Sequence, residues 1–263
     1  MMNCPDKCNY EYKNKYNFGQ TRVWNPWRGC FQCSEACAHC YIDHLNAFKN
    51  CCYPIFTDYS TLPAGSVIMV SLQSDFFLEE ADIFRNAAWH TIRTHPHLIF
   101  VIITKRINRV KDCLPEDWGD GWENVVIVAT AENQKRADER IPYLLELPLK
   151  HKWVCCTPLL EQIDLAKYLK TGQIEHVEIN GERSYKGESV RPLHIEWARN
   201  LKEQCIKYNT RVSFLFVGNN CVLEDGTIIE DHCFCYGSEV ADSLDISYYL
   251  PIKFNLDSGL AVY

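Results

Sequence analysis

From residue 67 onward, short apolar runs rich in β-branched residues alternate with longer amphipathic runs. Short apolar runs are typical of strands that are buried on both faces, and a helical period in the intervening runs is typical of helices that cover a sheet. This alternation predicts repeated βα units that build one parallel sheet. The six predicted strands are Val67–Leu72, Leu98–Thr104, Val125–Thr130, Trp153–Thr157, His176–Ile179 and Val212–Val217.

Apolar stripes predict helices between these strands. One helix is expected at Glu79–Thr94, with a stripe of Phe84, Ala87, Ala88, Thr91 and Ile92. Another repeats an apolar residue at every fourth position: Leu193, Trp197, Leu201 and Cys205. With a further short strand near Arg22–Trp24, the fold class is α/β, a partial (β/α)6-type barrel. Its active site is expected at the carboxyl ends of the strands, where the βα loops converge.

Residues 219–263 break this alternation. Glycine and proline recur there among mixed short strands, and Asp225-Gly226 predicts the turn of a β-hairpin. We therefore predict a barrel domain at residues 1–218 and a small, irregular, β-rich extension at residues 219–263.

The number of cysteines and the net charge limit the classes of function that this chain can have. Fifteen cysteines follow an amino-terminal segment without the apolar core of a signal peptide, which favours reduced thiols and metal ligands over disulfides. No segment has the roughly 18 uninterrupted apolar residues of a membrane span. We therefore expect a cytoplasmic protein without a membrane partner. A net charge of −7 opposes strong sequence-independent binding of nucleic acid, although local binding stays possible.

Four of the cysteines lie within eleven residues, just after the first short strand: Cys30, Cys33, Cys37 and Cys40. Three thiolates on one loop can hold three irons of a [4Fe–4S] cluster and leave the fourth iron open. In radical S-adenosylmethionine (SAM) enzymes, SAM occupies that iron and is cleaved by one electron to a 5′-deoxyadenosyl radical. Spacing alone favours Cys33, Cys37 and Cys40. Zinc is the alternative metal. The two ligand pairs of a zinc site are usually about 12–20 residues apart, whereas only three residues separate Cys33 from Cys37, so the spacing argues against zinc.

A wider resemblance accompanies this loop. Trp24-Asn25-Pro26-Trp27-x-Gly29-Cys30, then Ser34 and Cys37-x-x-Cys40-Tyr41, resembles the opening motif of an uncharacterised, phage-associated family of short radical-SAM-like proteins. Later motifs follow that family's order over about residues 20–218: Ser71-x-x-Ser74-Asp75-Phe76-Phe77, Thr104-Lys105-Arg106, Glu132-Asn133-Gln134, Ala137-Asp138-Glu139-Arg140-Ile141-Pro142, Pro158-Leu159-Leu160-Glu161 and Gly181-Glu182. The resemblance implies a partial barrel of the radical SAM kind. It also matches the first cluster cysteine to Cys30 and makes Cys33 extra, so both triads stay open.

Further contacts to SAM are expected from polar residues at the strand ends: Ser71, Ser74, Asp75, Lys105, Thr130, Glu132 and Glu182. Asp75 or Ser74 could accept hydrogen bonds from the amino group of SAM, and Lys105 could pair with its carboxylate. A carboxylate such as Glu132 could hold ribose hydroxyls. Asn133 is as readily interpreted as the N-cap of a helix.

The remaining cysteines admit a second metal site near Cys221, Cys233 and Cys235, although unligated thiols are the simpler interpretation. Four others are expected in the core: Cys113, Cys155, Cys156 and Cys205.

Together these features predict a radical SAM enzyme that abstracts hydrogen from an unidentified substrate and takes its electron from a separate donor. Two alternatives stay open: a non-catalytic iron–sulfur or zinc binding module, and a nucleic-acid modification or repair enzyme. The acidic charge counts against the latter.

Overall fold

The computed structural model describes residues 21–40, 42, 59–184, 189–230 and 234–262, and for residues 234–238 it describes the backbone alone. Seven strands form one parallel sheet that curls into half a barrel. They are β1 (Thr21–Trp24), β2 (Val67–Val70), β3 (Ile99–Thr104), β4 (Val125–Thr130), β5 (His151–Cys156), β6 (His176–Asn180) and, after the short β7 (Leu193–His194), β8 (Arg211–Phe216). Their order across the sheet, β1-β2-β3-β4-β5-β6-β8, follows the chain, so the predicted partial barrel is confirmed at the level of architecture.

Helices cover the convex face of the sheet. They are α1 (Asp82–Arg93), α2 (Gln134–Glu146), α3 (Ala166–Leu169), α4 (Ile195–Lys207) and, in the extension, α5 (Phe234–Ser243). The stripe predicted for α1 is partly wrong, because Ala87 is exposed while Arg85 is buried. Arg85 is held there by the carbonyl oxygens of Phe76 and Leu78, at 3.1 and 2.6 Å. In α4, Leu201 and Cys205 are buried as predicted.

The extension contains two hairpins. Strands β9 (Asn220–Val222) and β10 (Ile228–Glu230) pair antiparallel around the predicted Asp225-Gly226 turn, where Gly226 has a φ of 83°. Strand β9 also pairs with β7, which makes a small three-stranded sheet. The second hairpin joins β11 (Lys253–Leu256) to β12 (Gly259–Val262). Helix α5, between the hairpins, was not predicted.

The concave face is apolar at the amino-terminal end of the strands. Here β11 supplies a plug to the half-barrel. We name the joint cluster the apolar floor, with Cys155 at its edge toward the carboxyl ends of the strands: Val67, Ile99, Val101, Val126, Val128, Trp153, Ile252, Phe254 and Leu256. The opposite end of the concave face, which we name the mouth, is lined by the loops that follow β1–β6. Among the described residues, no helix has the length and apolarity needed to cross a membrane.

Candidate metal and cofactor site

The cysteine loop is fixed to the mouth by the residues that precede it. Trp27 is buried, and its indole N–H donates to the carbonyl oxygen of Asp75 at 3.0 Å. Asn25 Oδ1 accepts from the backbone N–H of Gln73 at 2.8 Å, and the N–H of Gly29 donates to the carbonyl oxygen of Gln73 at 3.0 Å. Gly29 has a φ of 87°, which favours glycine. The Trp-Asn-Pro-Trp-x-Gly motif therefore docks the loop against the segment after β2.

The four thiols of the loop are reduced and lie near enough to interact electrostatically. Cys30 and Cys37 are buried, and Cys33 and Cys40 are half-buried. A hydrogen bond from Cys33 lowers the pKa of Cys37 to about 4, although burial opposes this shift. The same hydrogen bond raises the pKa of Cys33, and burial raises those of Cys30 and Cys40. The loop thus favours one thiolate at Cys37, and its charge acts on the other three thiols.

Two cationic side chains from the end of β3 face these thiols. Arg106 lies with its Nη1 3.5 Å from Cys30 Sγ and donates through Nη2 to the carbonyl oxygen of Phe31 at 2.7 Å. Burial acts to lower the pKa of Lys105, but the negative charges of Cys37 and Glu132 outweigh it and raise the pKa. Among the described residues, Lys105 Nζ forms no hydrogen bond or ion pair. Its ammonium is therefore available to an anionic ligand.

Asp75 organises the loops around the cysteines. Its Oδ1 accepts from Thr104 Oγ1 at 2.8 Å and from the N–H of Phe77 at 2.9 Å. Its Oδ2 accepts from the N–H of Lys105 at 3.1 Å and from Arg106 Nη1 at 3.2 Å. Because four protein donors share this carboxylate, Asp75 holds the segments that follow β2 and β3 together; its contact with the amino group of SAM stays a prediction.

Glu132 likewise has protein partners for both carboxylate oxygens. It is fully buried, its Oε2 lies 2.6 Å from Arg140 Nη1, and its Oε1 accepts from the hydroxyl of Ser34. Ser34 in turn lies with its Oγ 3.7 Å from Cys37 Sγ. The chain Arg140–Glu132–Ser34 therefore ties the cysteine loop to β4, and sequence reasoning missed both Ser34 and Arg140 as members of the site. The available signal was that both residues lie within motifs on which the family resemblance rests.

A second ion pair holds the cysteine loop from outside. Arg136 of α2 donates to both carboxylate oxygens of Glu35, at 3.0 and 3.1 Å. Helix α2 begins at Asn133, whose Oδ1 accepts from the N–H of Arg136 at 2.8 Å. Asn133 is therefore the N-cap, as one of its two interpretations predicted.

Ser71 and Ser74 play different parts. Ser74 donates its hydroxyl to the carbonyl oxygen of Gly29 and so belongs to the loop anchor. Ser71 is buried and has a φ of 61°, a conformation that is unfavourable for serine. Its hydroxyl oxygen has no hydrogen-bond partner in the part of the chain that the structure describes. A strained residue with an unsatisfied buried hydroxyl at a strand end is a candidate ligand contact.

Thr130 and Glu182 complete the set predicted at the strand ends. Thr130 is buried at the end of β4, and its carbonyl oxygen accepts from Arg140. Glu182 is buried and accepts from Arg191 Nε at 2.9 Å. Next to it, a Cβ on Gly181 would lie 2.0 Å from the carbonyl oxygen of Val217, so this position requires glycine. The backbone around Glu182 is thus packed against β8 rather than open to a ligand.

The other cysteines lie mostly in the core. Cys155, Cys156 and Cys205 are buried as predicted, and Cys113 is half-buried. Cys221, proposed for a second metal site, is buried in the main core cluster. Of its suggested partners, Cys233 lies outside the described residues, and Cys235 is described only in its backbone.

The donor set fits an iron–sulfur cluster. Among the described residues, no three Cys, His, Asp or Glu side chains are arranged to hold one metal ion. A [4Fe–4S] cluster instead binds each thiolate through a different iron. Four neighbouring thiols supply the soft ligands that such a cluster takes, and Lys105 and Arg106 supply positive charge beside them. The residue types of the loop are therefore those that such a cluster takes, and the cluster itself stays a prediction.

Comparison with known proteins gives a family but no activity. A family model described as "Protein of unknown function (DUF5131)" matches residues 16–224, which include the cysteine loop and all seven strands of the half-barrel. No curated protein and no solved structure matches the chain.

Proposed function

We propose that this protein, which belongs to the DUF5131 family of proteins of unknown function, is a radical SAM enzyme. The observation that carries the proposal is the position of four clustered thiols at the carboxyl end of a parallel half-barrel, beside two cationic side chains. When bound, a three-cysteine [4Fe–4S] cluster and SAM supply a 5′-deoxyadenosyl radical that abstracts hydrogen from a substrate. The resemblance to phage-associated, radical-SAM-like proteins supports this proposal; the family description itself names no activity.

In this proposal the cysteines of the loop bind the cluster, and the surrounding residues hold the loop in place. Cys37 and Cys40 would ligate the cluster together with Cys30 or Cys33. Arg106 and Lys105 would offset the negative charge of the thiolates and so favour their deprotonated form. The hydrogen bonds from Trp27, Asn25 and Ser74 would keep the loop in register with β2.

SAM would lie over the ends of β2 and β3, where unsatisfied groups remain. The ammonium of Lys105 has no acceptor among the described residues, and a carboxylate would pair with it. The Ser71 hydroxyl, which is buried and has no partner within the described ranges, would hydrogen-bond to the same ligand. The carboxylates of Asp75 and Glu132 would support these groups from behind, because their own oxygens are bonded to protein donors.

The concave face would exclude water from the reacting atoms. The apolar floor closes its amino-terminal end, so a substrate would enter from the mouth. A closed, apolar base protects a radical from side reactions. The electron donor would be a separate partner, and a reducing compartment such as the cytoplasm suits the fifteen cysteines.

The test is the formation of 5′-deoxyadenosine by anaerobically reconstituted protein with SAM and a chemical reductant. We expect product with the wild-type chain and with Cys113→Ala, a half-buried cysteine outside the loop. We expect none with Cys37→Ala. Of Cys30→Ala and Cys33→Ala, the variant that loses product identifies the third ligand. Stoichiometric zinc without 5′-deoxyadenosine would overturn the proposal and favour a metal-stabilised binding module.

A further inference from the structure

A row of side chains crosses the concave face between the apolar floor and the mouth. The sheet register places Thr130 opposite Cys155, Cys155 opposite Glu178 and Glu178 opposite Ser213. Directly paired residues of neighbouring strands project to the same face. We name these four residues the polar row. Three of them are buried and Glu178 is half-buried, so Glu178 is the member that a molecule in the mouth can reach.

Glu178 differs from Asp75, Glu132 and Glu182, the other carboxylates of the mouth, because no cationic side chain among the described residues pairs with it. Asp75 is paired with Arg106, Glu132 with Arg140 and Glu182 with Arg191, as three separate ion pairs. Among the residues that the structure describes, no lysine, arginine or histidine forms an ion pair with Glu178. Burying an ionised carboxylate without a cationic partner costs free energy. At each of the three neighbouring carboxylates, an arginine offsets that cost.

The surroundings of Glu178 hold its carboxyl group in one orientation. Its Oε1 accepts from Asn180 Nδ2 at 2.9 Å and from the Cys155 thiol at 3.7 Å. Asn180 is itself fixed, because its Oδ1 accepts from the N–H groups of Leu215 and Phe216 at 3.2 Å. Oxygen Oε2 has no such partner among the described residues. Burial raises the pKa of Glu178, which agrees with a missing positive neighbour.

We propose that Glu178, oriented by Asn180 and Cys155, is a subsite for a ligand that carries a cationic nitrogen group, an amine or an amidine. The ligand's cation supplies the partner that arginines supply at the other three carboxylates. An amidinium or ammonium donates hydrogen bonds to Oε2 and strengthens the ionised form of the carboxyl.

The position of the subsite relates it to the proposed cofactor site. Lys105 directly follows β3, and Glu178 lies on β6, three strands away across the same face. Neighbouring strands are about 4.8 Å apart, so this separation is about 14 Å at the level of the backbone. SAM beside Lys105 would leave the far side, over β5 and β6, to a second molecule. Naming that molecule as the enzyme's substrate rests on the proposed function; the existence of the subsite does not.

The test uses p-aminobenzamidine as the probe and isothermal titration calorimetry of the full-length chain without SAM, both before and after iron–sulfur reconstitution. We expect saturable one-to-one binding to the wild-type chain. Glu178→Gln keeps the shape of the side chain but removes its charge, so we expect at least about tenfold weaker binding. Glu203→Gln, on the exposed side of α4, is the matched control and should bind as the wild type does.

A second measurement does not depend on how the variant folds. A crystal of the wild-type chain soaked with p-aminobenzamidine should place the amidinium on the Glu178 carboxylate. Absence of binding, equal binding to Glu178→Gln in a chain of unchanged circular dichroism, or a probe bound elsewhere would each overturn the inference. Since the probe needs neither SAM nor the cluster, these results are independent of 5′-deoxyadenosine formation, and either proposal can fail alone.

Discussion

The two ends of the half-barrel share the same strands but are closed by different forces. At the amino-terminal end, the β11–β12 hairpin inserts Phe254 against His151, with ring centroids 4.1 Å apart, and the apolar floor surrounds them. At the carboxyl end, carboxylates, guanidinium groups and thiols meet in specific pairs. Apolar burial is non-directional, whereas hydrogen bonds and ion pairs fix geometry. One end of the sheet is therefore closed by apolar packing, and the other carries the candidate site, at the end where complete barrels have theirs.

The division also appears within single strands. In β4, Val126 and Val128 belong to the floor, and the next side chain on the same face is the buried Thr130 of the polar row. In β5, Trp153 packs in the floor cluster and Cys155 extends into the polar row. The alternation of a strand thus takes one face from an apolar environment to a polar one within two residues.

The largest effect on stability is expected at the floor. Phe254→Ala removes a fully buried ring and should lower the free energy of unfolding by about 3–5 kcal/mol, measured by denaturant titration. Leu260→Ala, in the same hairpin but 61% exposed, is the control and should change it by less than about 0.5 kcal/mol. If Phe254→Ala left stability unchanged but reduced the iron bound by the folded protein, the division between the two ends would be wrong.

A smaller effect is expected from the anchor of the cysteine loop. Trp27→Phe keeps an aromatic ring but removes the donor to the Asp75 carbonyl oxygen, at a cost of about 1–3 kcal/mol for the unsatisfied acceptor. Iron should then be lost faster to a chelator, because the loop is held less firmly. Trp122→Phe, whose indole N–H makes a longer contact of 3.4 Å to Asp117, is the control. Equal rates of iron loss in the two variants would show that the indole does not position the loop.

The sheet was predictable from sequence because buried parallel strands must be short, apolar and β-branched. All six predicted strands and the short first strand are present. The helix faces were less predictable, since Arg85 is buried by carbonyl acceptors that precede α1. Helix α5 was missed because residues 219–263 contain many glycine, proline and strand-like signals.

The site was predictable in its location but not in the partners of its residues. Cysteine spacing marked the loop, and strand ends marked Asp75, Glu132 and Lys105. Whether each carboxylate is free depends on an arginine brought close by folding: Arg106 lies 31 residues after Asp75, and Arg140 lies 8 residues after Glu132. Composition and spacing do not report such pairing, so the sequence does not show that Asp75 and Glu132 each have an arginine partner.

The smallest effect is expected from the outer clamp of the loop. Hydrogen bonds from Arg136 lower the pKa of Glu35 to about 2, from an ordinary value of 4.5. The side chain of Glu35 is 45% exposed, so Glu35→Gln should cost less than about 1 kcal/mol near neutral pH. Because the pKa is lower in the folded chain, this stabilisation is present above pH 4.5 and is lost as the pH falls toward 2.

Denaturant unfolding of the wild type and Glu35→Gln across this pH range, without added iron, measures that loss. The difference in unfolding free energy should shrink toward zero as the pH falls. A difference that stays constant with pH would mean that the carboxylate charge does not contribute to the clamp, and that Glu35 acts through contacts that glutamine cannot make.

The most direct measurement of the central claim is the electron paramagnetic resonance spectrum of the reduced, anaerobically reconstituted protein with and without SAM. The account predicts a [4Fe–4S] signal that changes on addition of SAM, is absent from Cys37→Ala and is retained in Cys113→Ala. A cluster signal that SAM does not alter, or a protein that takes up zinc and no iron–sulfur cluster, would contradict it.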